Sequence, residues 1–283
     1  MWTIAHGLSI DDIPITPIRT SGDRITDRPL ADAGGKGLFT KEIDEALLSG
    51  QVDLAVHSAK DMPTQLPAGI AIAACLRRAD VSDAFISSVA PRLTDLPQGA
   101  VLGTSSLRRK AMALWARPDL AVVAMRGNVE TRLRKLDAGE VQAVILACAG
   151  LARLGLTRRI TAAMDPDHWL PAVGQGIIAV AARDDDQRTR ALSAAIDDRV
   201  TSIALATERA FLAVLEGSCR TPIGGLALVD GDRITFRGII VKPDGSAVRE
   251  VRRNGAASAA ERIGANAGAE LAERAGADFF AIG

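Results

Sequence analysis

The chain has no tyrosine, and aromatic residues make up only 3% of its 283 positions. So few rings leave no platform on which nucleic-acid bases could stack. It also lacks net charge: 34 Lys and Arg stand against 34 Asp and Glu. That balance excludes a general polyanion binder, so any anion recognition has to come from local clusters. The three cysteines have no short regular spacing and make no disulfide framework. The histidines (His6, His57 and His168) are scattered, and without CxxC or HExxH no metal site is expected. No apolar run is long enough to span a bilayer, and MWTIAHGLSIDD lacks the basic-then-apolar pattern of a secretory leader. The expectation is a reduced, soluble, cytoplasmic protein with neither nucleic acid nor membrane as partner.

What is present reads as α/β. A chain of this length normally makes two or three domains. TKEIDEALLSG (40–50) predicts a helix capped by Thr40, with Ile43, Ala46 and Leu47 on one face and Gly50 as its stop. VDLAV (52–56) follows as a buried strand running into HSAKDMP. A unit of strand, polar turn and helix then recurs. AVLGTSSLRRKAMALWARP is expected to turn Leu107, Ala111, Leu114 and Trp115 inward. LAVVAMRGNVETRLRKLDAGE repeats the pattern, with Asn128 as cap and Val129, Leu133 and Leu136 inside, and VQAVILACAGLARLG begins a third unit. These units predict a parallel sheet. From LALVDGDRITFRGIIVKPDGSAVREV onward the pattern changes to hairpins at DGD and PDG, and a helix over 256–275 faces Ile263 and Leu271 inward.

RRADVSDAF (77–85) and LPAVGQG (170–176) interrupt the periodic structure and read as two crossovers. The expected organisation is therefore a discontinuous first domain (1–76 and 177–196), a second over 82–170, and a small α+β domain over 199–283.

Arg108 and Arg109 violate a local rule, because they sit in the first turn of a helix, where the dipole is already positive. An anion held there would reverse the sign. Arg126, Arg132 and Arg153 also follow predicted strands or open helices, the ends at which open α/β sheets bind ligands. Each alone is more simply a solvated cation; together they point to a polyanionic ligand, for which the arginine fork suits carboxylate or phosphate. Lys60 and Asp61 lie just past a buried strand, where a carboxylate can stabilise positive charge or move a proton, although an ordinary turn is the simpler reading of Asp61 alone. His57 reads as structural. GGKGLF (34–39) carries Lys36 without the spacing of a nucleotide P-loop, and a lid and a binding loop fit it equally. Cys75 and Cys148 sit in apolar runs as core residues, whereas Cys219 sits in the Gly- and Pro-rich loop EGSCRTPIGG.

GGKGLF, AVHSAKDMP, GTSSLRR, RGNVETRLRKLD, LPAVGQG and EGSCRTPIGG occur in an order that resembles the porphobilinogen deaminase (hydroxymethylbilane synthase) family over nearly the whole chain. The resemblance implies two periplasmic-binding-protein-like α/β domains plus a third that carries the cysteine loop. It implies an enzyme, working as a monomer, that condenses four porphobilinogen molecules into hydroxymethylbilane with loss of ammonia, for haem and other tetrapyrroles. Cys219 becomes the thioether anchor of a dipyrromethane cofactor and Asp61 the catalytic carboxylate. Lys60, Arg108, Arg109, Ser58, Thr104 and Ser106 become cofactor ligands. Arg126, Arg132, Arg153 and Lys36 become ligands of substrate and growing chain. One departure stands out: the family's TRxSxLA segment and the strand before it are not in this sequence, so a natural start roughly two dozen residues upstream is expected. The alternative is a two-domain carboxylate- or phosphate-binding module without catalysis, which would carry no pyrrole adduct. Nucleotide enzymes are disfavoured by the missing fingerprints.

Overall fold

The computed structural model describes residues 5–24, 40–215, 221–276 and 279. The strands β1 (Ala55–Ser58) and β2 (Ile70–Cys75) come first. The chain then crosses to build β3 (Asp83–Ser87), β4 (Val101–Gly103), β5 (Ala121–Val123), β6 (Ala143–Ala147) and β7 (Ala162–Ala163). It crosses back to β8 (Ile178–Arg183) and continues into β9 (Ile223–Asp230), β10 (Arg233–Val241) and β11 (Val248–Ala256).

The first sheet has the order β1-β8-β2, with β8 antiparallel to both neighbours. The helix α1 (Lys41–Leu48) covers it with Ala46 and Leu47; Glu42 and Asp44 in its first turn suit the dipole, and Gly50 turns the chain away at φ 75. The strand expected over 52–56 lies three residues later and alternates: Ala55 and His57 are buried, while Val56 is 66% exposed. Among the described residues β1 pairs with β8 only, and its alternating burial shows one face covered rather than two.

The second sheet has the order β5-β4-β6-β3-β7. Its βα units do place β5, β4 and β6 parallel, but β3 and β7 run antiparallel to their neighbours. The all-parallel expectation fails there because β3 enters from a crossover instead of a βα unit. The helices α2 (Leu107–Ala116), α3 (Val129–Asp137) and α4 (Cys148–Arg153) follow β4, β5 and β6. Asn128 caps α3 as expected, its side chain accepting from the Thr131 N–H at 2.9 Å. In α2 the buried face is Arg108, Arg109, Ala111, Met112 and Ala113, and Trp115 is 45% exposed, so the inward set expected from spacing is rotated.

The two crossovers lie against each other. The Ala79 N–H donates to the Gly176 carbonyl at 3.1 Å, and a Cβ on Gly176 (φ 86) would stand 2.7 Å from the Ala79 oxygen. Only glycine fits there.

The third sheet, β11-β10-β9, is antiparallel and turns at Gly231 and Gly245. It packs with α5 (Arg199–Val214) and α6 (Ala260–Ala275) around Phe211, Phe236, Ile263 and Leu271, so Ile263 and Leu271 face inward as expected. Cys75 and Cys148 are buried, and burial pushes the Cys148 thiol up to about 11, which makes it inert. Lys36 and Cys219 lie outside the described residues. Among the described residues no helix is long and apolar enough to cross a membrane.

Candidate active site

The polar turn after β4 is ordered from within. Thr104 is buried and its Oγ1 accepts from the Ser106 N–H at 3.2 Å, while Ser106 caps α2 by accepting from the Arg109 N–H at 3.4 Å. This cap aims the first turn of α2 into the protein, and the two arginines enter an apolar core. A carboxylate that spacing alone does not reveal makes this possible. Asp83, at the head of β3, is fully buried. Its Oδ2 accepts from Arg108 Nη2 at 2.6 Å and Trp169 Nε1 at 2.8 Å. Its Oδ1 accepts from Arg109 Nη2 at 2.6 Å, Arg109 Nε at 3.1 Å and Gln175 Nε2 at 2.9 Å. Arg108 Nη1 reaches the Leu170 carbonyl (2.7 Å) and Arg109 Nη1 the Ile145 carbonyl (3.0 Å), while the buried Arg108 Nε has no hydrogen-bond partner among the described residues. Burial would push the Asp83 carboxyl up; Arg108 and Arg109 outweigh it and hold the group well below the usual carboxylate range.

Two cations on one carboxylate leave this cluster with positive charge, and more cations gather around it. β1 ends in a tight turn, Ala59–Asp61, that carries Lys60 and Asp61. Burial pushes the Lys60 ammonium down, Asp61 counters this, and Arg109 and Arg108 add to it, so Lys60 shares the field of the arginine cluster. Arg132 is likewise pushed down by burial and by Arg109 and Arg126, against the pull of Asp61. Its Nε donates to the Gly127 carbonyl at 2.9 Å. The structure thus brings Lys60, Asp61, Arg108, Arg109, Arg126 and Arg132 into one neighbourhood with Asp83, five cations and two carboxylates among the described residues. Arg153 is exposed and donates to the Gly176 carbonyl on the second crossover at 3.0 Å. Ser58 is half-buried at the end of β1, next to the Lys60 turn.

Asp61 is the exception in this ring. It is exposed, and among the described residues its carboxylate accepts no hydrogen bond. His57 is buried, and its Nε2 has no hydrogen-bond partner among the described residues; burial pushes its ring down, against Asp44 and Asp61. Asp83, Trp169 and Gln175 are the site residues that local spacing missed. One signal was available: an acid opening the apolar strand DAFIS has to meet a cation.

The arrangement can bind a ligand with several carboxylates and hold one free carboxylate beside it. Comparison with known proteins agrees with that chemistry. Residues 3–191 match the family description "Porphobilinogen deaminase, dipyromethane cofactor binding domain", and residues 203–273 match "Porphobilinogen deaminase, C-terminal domain". The porphobilinogen deaminase of Nitrobacter hamburgensis is 59% identical over 256 residues, covering 90% of this chain and 81% of that protein. That of Paracoccus denitrificans is 53% identical over 276 residues, covering 98% of this chain and 88% of that protein. Solved structures overlap more loosely. A periplasmic substrate-binding protein of an ABC transporter from Coxiella burnetii covers 54% of this chain and 74% of its own, with 19% identity and a TM-score of 0.37. A nutrient binding protein from Burkholderia cenocepacia bound to methionine covers 53% and 73%, again with 19% identity and a TM-score of 0.37. With both family descriptions matched in sequence and relatives above half identity along most of its length, the chain belongs to the porphobilinogen deaminase family.

Proposed function

We propose that this chain condenses porphobilinogen head to tail, releasing ammonia at each addition, and frees the linear tetrapyrrole hydroxymethylbilane at the end. The observation that carries this reading is the gathering of Lys60, Arg108, Arg109 and Arg132 near an Asp61 whose carboxylate accepts no hydrogen bond among the described residues, in a chain of this family. A binding module without chemistry has no use for that free carboxylate and is not favoured.

The donor set fits the dipyrromethane cofactor. Its two pyrroles carry acetate and propionate groups, and the cation excess is of the kind such carboxylates neutralise. The group supplies a nucleophilic pyrrole carbon when bound, and Cys219 is its thioether anchor. Arg108 and Arg109, preorganised by Asp83, fix a carboxylate-rich ligand at the N-terminus of α2, and Ser58, Thr104 and Ser106 line the same approach. Lys60, Arg126 and Arg132 neutralise further carboxylates, with Arg153 and Lys36 serving the lengthening chain. Asp61 faces the positive charge that develops as ammonia leaves porphobilinogen. A carboxylate can also accept the pyrrole N–H and move the proton that restores aromaticity. Such a site acts on each unit in turn, because every addition presents the same cation to the same carboxylate.

The three sheets support domain limits near 77–82 and 170–176, with the C-terminal unit from about 199. We read the protein as a cytoplasmic monomer.

The test is ammonia release from porphobilinogen together with the intact mass of the purified chain. The expected result is turnover, plus an added mass of two pyrrole units that Cys219→Ser removes. An adduct that survives Cys219→Ser, or a chain that releases no ammonia, would overturn the reading.

A further inference from the structure

We propose that Arg209 is a positioning residue for Asp61, an inference that rests on the functional reading above. Because the Asp61 carboxylate has no hydrogen bond among the described residues, nothing at its own oxygens aims it. Its place is set by the main chain of its turn, so whatever holds that main chain sets the catalytic geometry.

Two adjacent residues of α5 bear on it, Glu208 through Gly174 and Arg209 directly. Glu208 is fully buried and accepts from Arg78 Nη1 at 2.5 Å, the Gly174 N–H at 2.7 Å and the Ala227 N–H at 2.8 Å. Gly174 in turn lies against the Asp61 turn: a Cβ there would stand 3.1 Å from the Lys60 nitrogen and the Ala59 carbonyl carbon. Just after the turn in sequence, Arg209 Nη2 donates to the Pro63 carbonyl at 3.0 Å and the Thr64 carbonyl at 2.8 Å. Those carbonyls follow the turn immediately, in a segment without helix or strand to satisfy them.

The choice of side chain is costly. Arg209 has no carboxylate partner among the described residues, and burial pushes its guanidinium down. A half-buried cation held by main-chain carbonyls alone is a poor device for stability. It is a good one for position, since a single planar donor fixes two carbonyls at once. The same helix stops four residues short of Cys219 in sequence. Arg209 therefore ties the carboxylate to the element that leads into the anchoring cysteine. Small displacements at such a site are expensive, because an error of about 1 Å can cost roughly 100-fold in rate.

The experiment compares Arg209→Met and Arg209→Lys with the parent chain by steady-state kinetics, intact mass and amide hydrogen exchange. For Arg209→Met the expected result is a kcat lower by about 10- to 100-fold, with KM within about twofold and the adduct still on Cys219. Amides over 62–66 should exchange at least about fivefold faster while those of β8 keep their rates. Arg209→Lys should recover both protection and kcat in part. Unchanged kcat, slowed turnover with unchanged exchange over 62–66, or loss of the adduct would each overturn the proposal. If Arg209→Met does not fold, Arg209→Lys decides: full protection with a kcat still down at least about tenfold overturns it. A parent chain that releases no ammonia would sink the functional reading instead, while the exchange rates would still report on the tether.

Discussion

Asp61 and Asp83 lie in one electrostatic neighbourhood, and the protein treats them in opposite ways. Asp83 is fully buried and accepts five hydrogen bonds, from two arginines, a tryptophan and a glutamine. Asp61 is exposed and accepts none among the described residues. The first carboxylate is saturated and holds its cations in place; the second is left open and free to answer charge that appears in a ligand. A polyanion site needs both kinds, since cations massed without a buried counter-charge would repel one another and the ligand alone would have to order them.

Breaking the saturated member should have the largest effect. Asp83→Asn strips the counter-charge from two buried guanidiniums, and loss of one partner of a buried pair costs about 3–5 kcal/mol. Urea unfolding should register most of that, and a loss under about 1 kcal/mol would mean the arginines find other partners. Breaking the open member should cost no more than about 1 kcal/mol of stability, since Asp61 is exposed and supports Lys60 and Arg132 only through its charge. Asp61→Asn should nonetheless lower turnover at least tenfold, about 1.4 kcal/mol of barrier. If the two variants exchanged these signatures, the contrast would be wrong.

The smallest effect sharpens the contrast through His57, whose buried ring feels Asp61. Burial holds its pKa below the ordinary 6.5, despite the pull of Asp44 and Asp61. Above that value the ring is neutral whether the chain is folded or not. As pH falls through 6.5, the unfolded chain takes up a proton that the folded chain refuses, so stability is lost until the depressed folded pKa is reached. His57→Asn should remove this contribution, and the thermal midpoint lost between neutral and mildly acid pH should shrink by about 1–3 °C. An identical pH profile in the variant would place the titration elsewhere.

Local chemistry made much of this legible. The Asn128 cap, the hairpin turns at Gly231 and Gly245, and the inward Ile263 and Leu271 each follow from rules that act within a few residues. What failed depended on distance. The face of α2 was misjudged because Arg108 and Arg109 are drawn inward by Asp83, 25 and 26 residues away, against the ordinary preference of cations for water. Trp169 and Gln175 join the same cluster from 86 and 92 residues away. The direction of β3 and the one-sided burial of β1 are likewise decided by which strands arrive alongside, and no window of sequence contains that. The arginines could be picked out as a group because each breaks a local rule; Asp83 breaks one less visibly, and Glu208 and Arg209 look like any two charges on a helix.

The position of β8 between β1 and β2 bears on how the protein is made. Among the described residues, neither β1 nor β2 has another strand to pair with, and β8 ends at Arg183. On the ribosome, the first sheet therefore waits for the whole second sheet to be synthesised. At ordinary elongation rates that interval is about 5–20 s, long compared with the time a hairpin needs to close. Throughout it, the Asp61 turn lacks β8, the strand that β1 pairs with among the described residues. The nascent chain is thus most vulnerable to proteolysis and misassociation before β8 emerges, and a slowed ribosome between Cys75 and Ile178 should lower the yield of folded protein more than the same pause placed after Arg183.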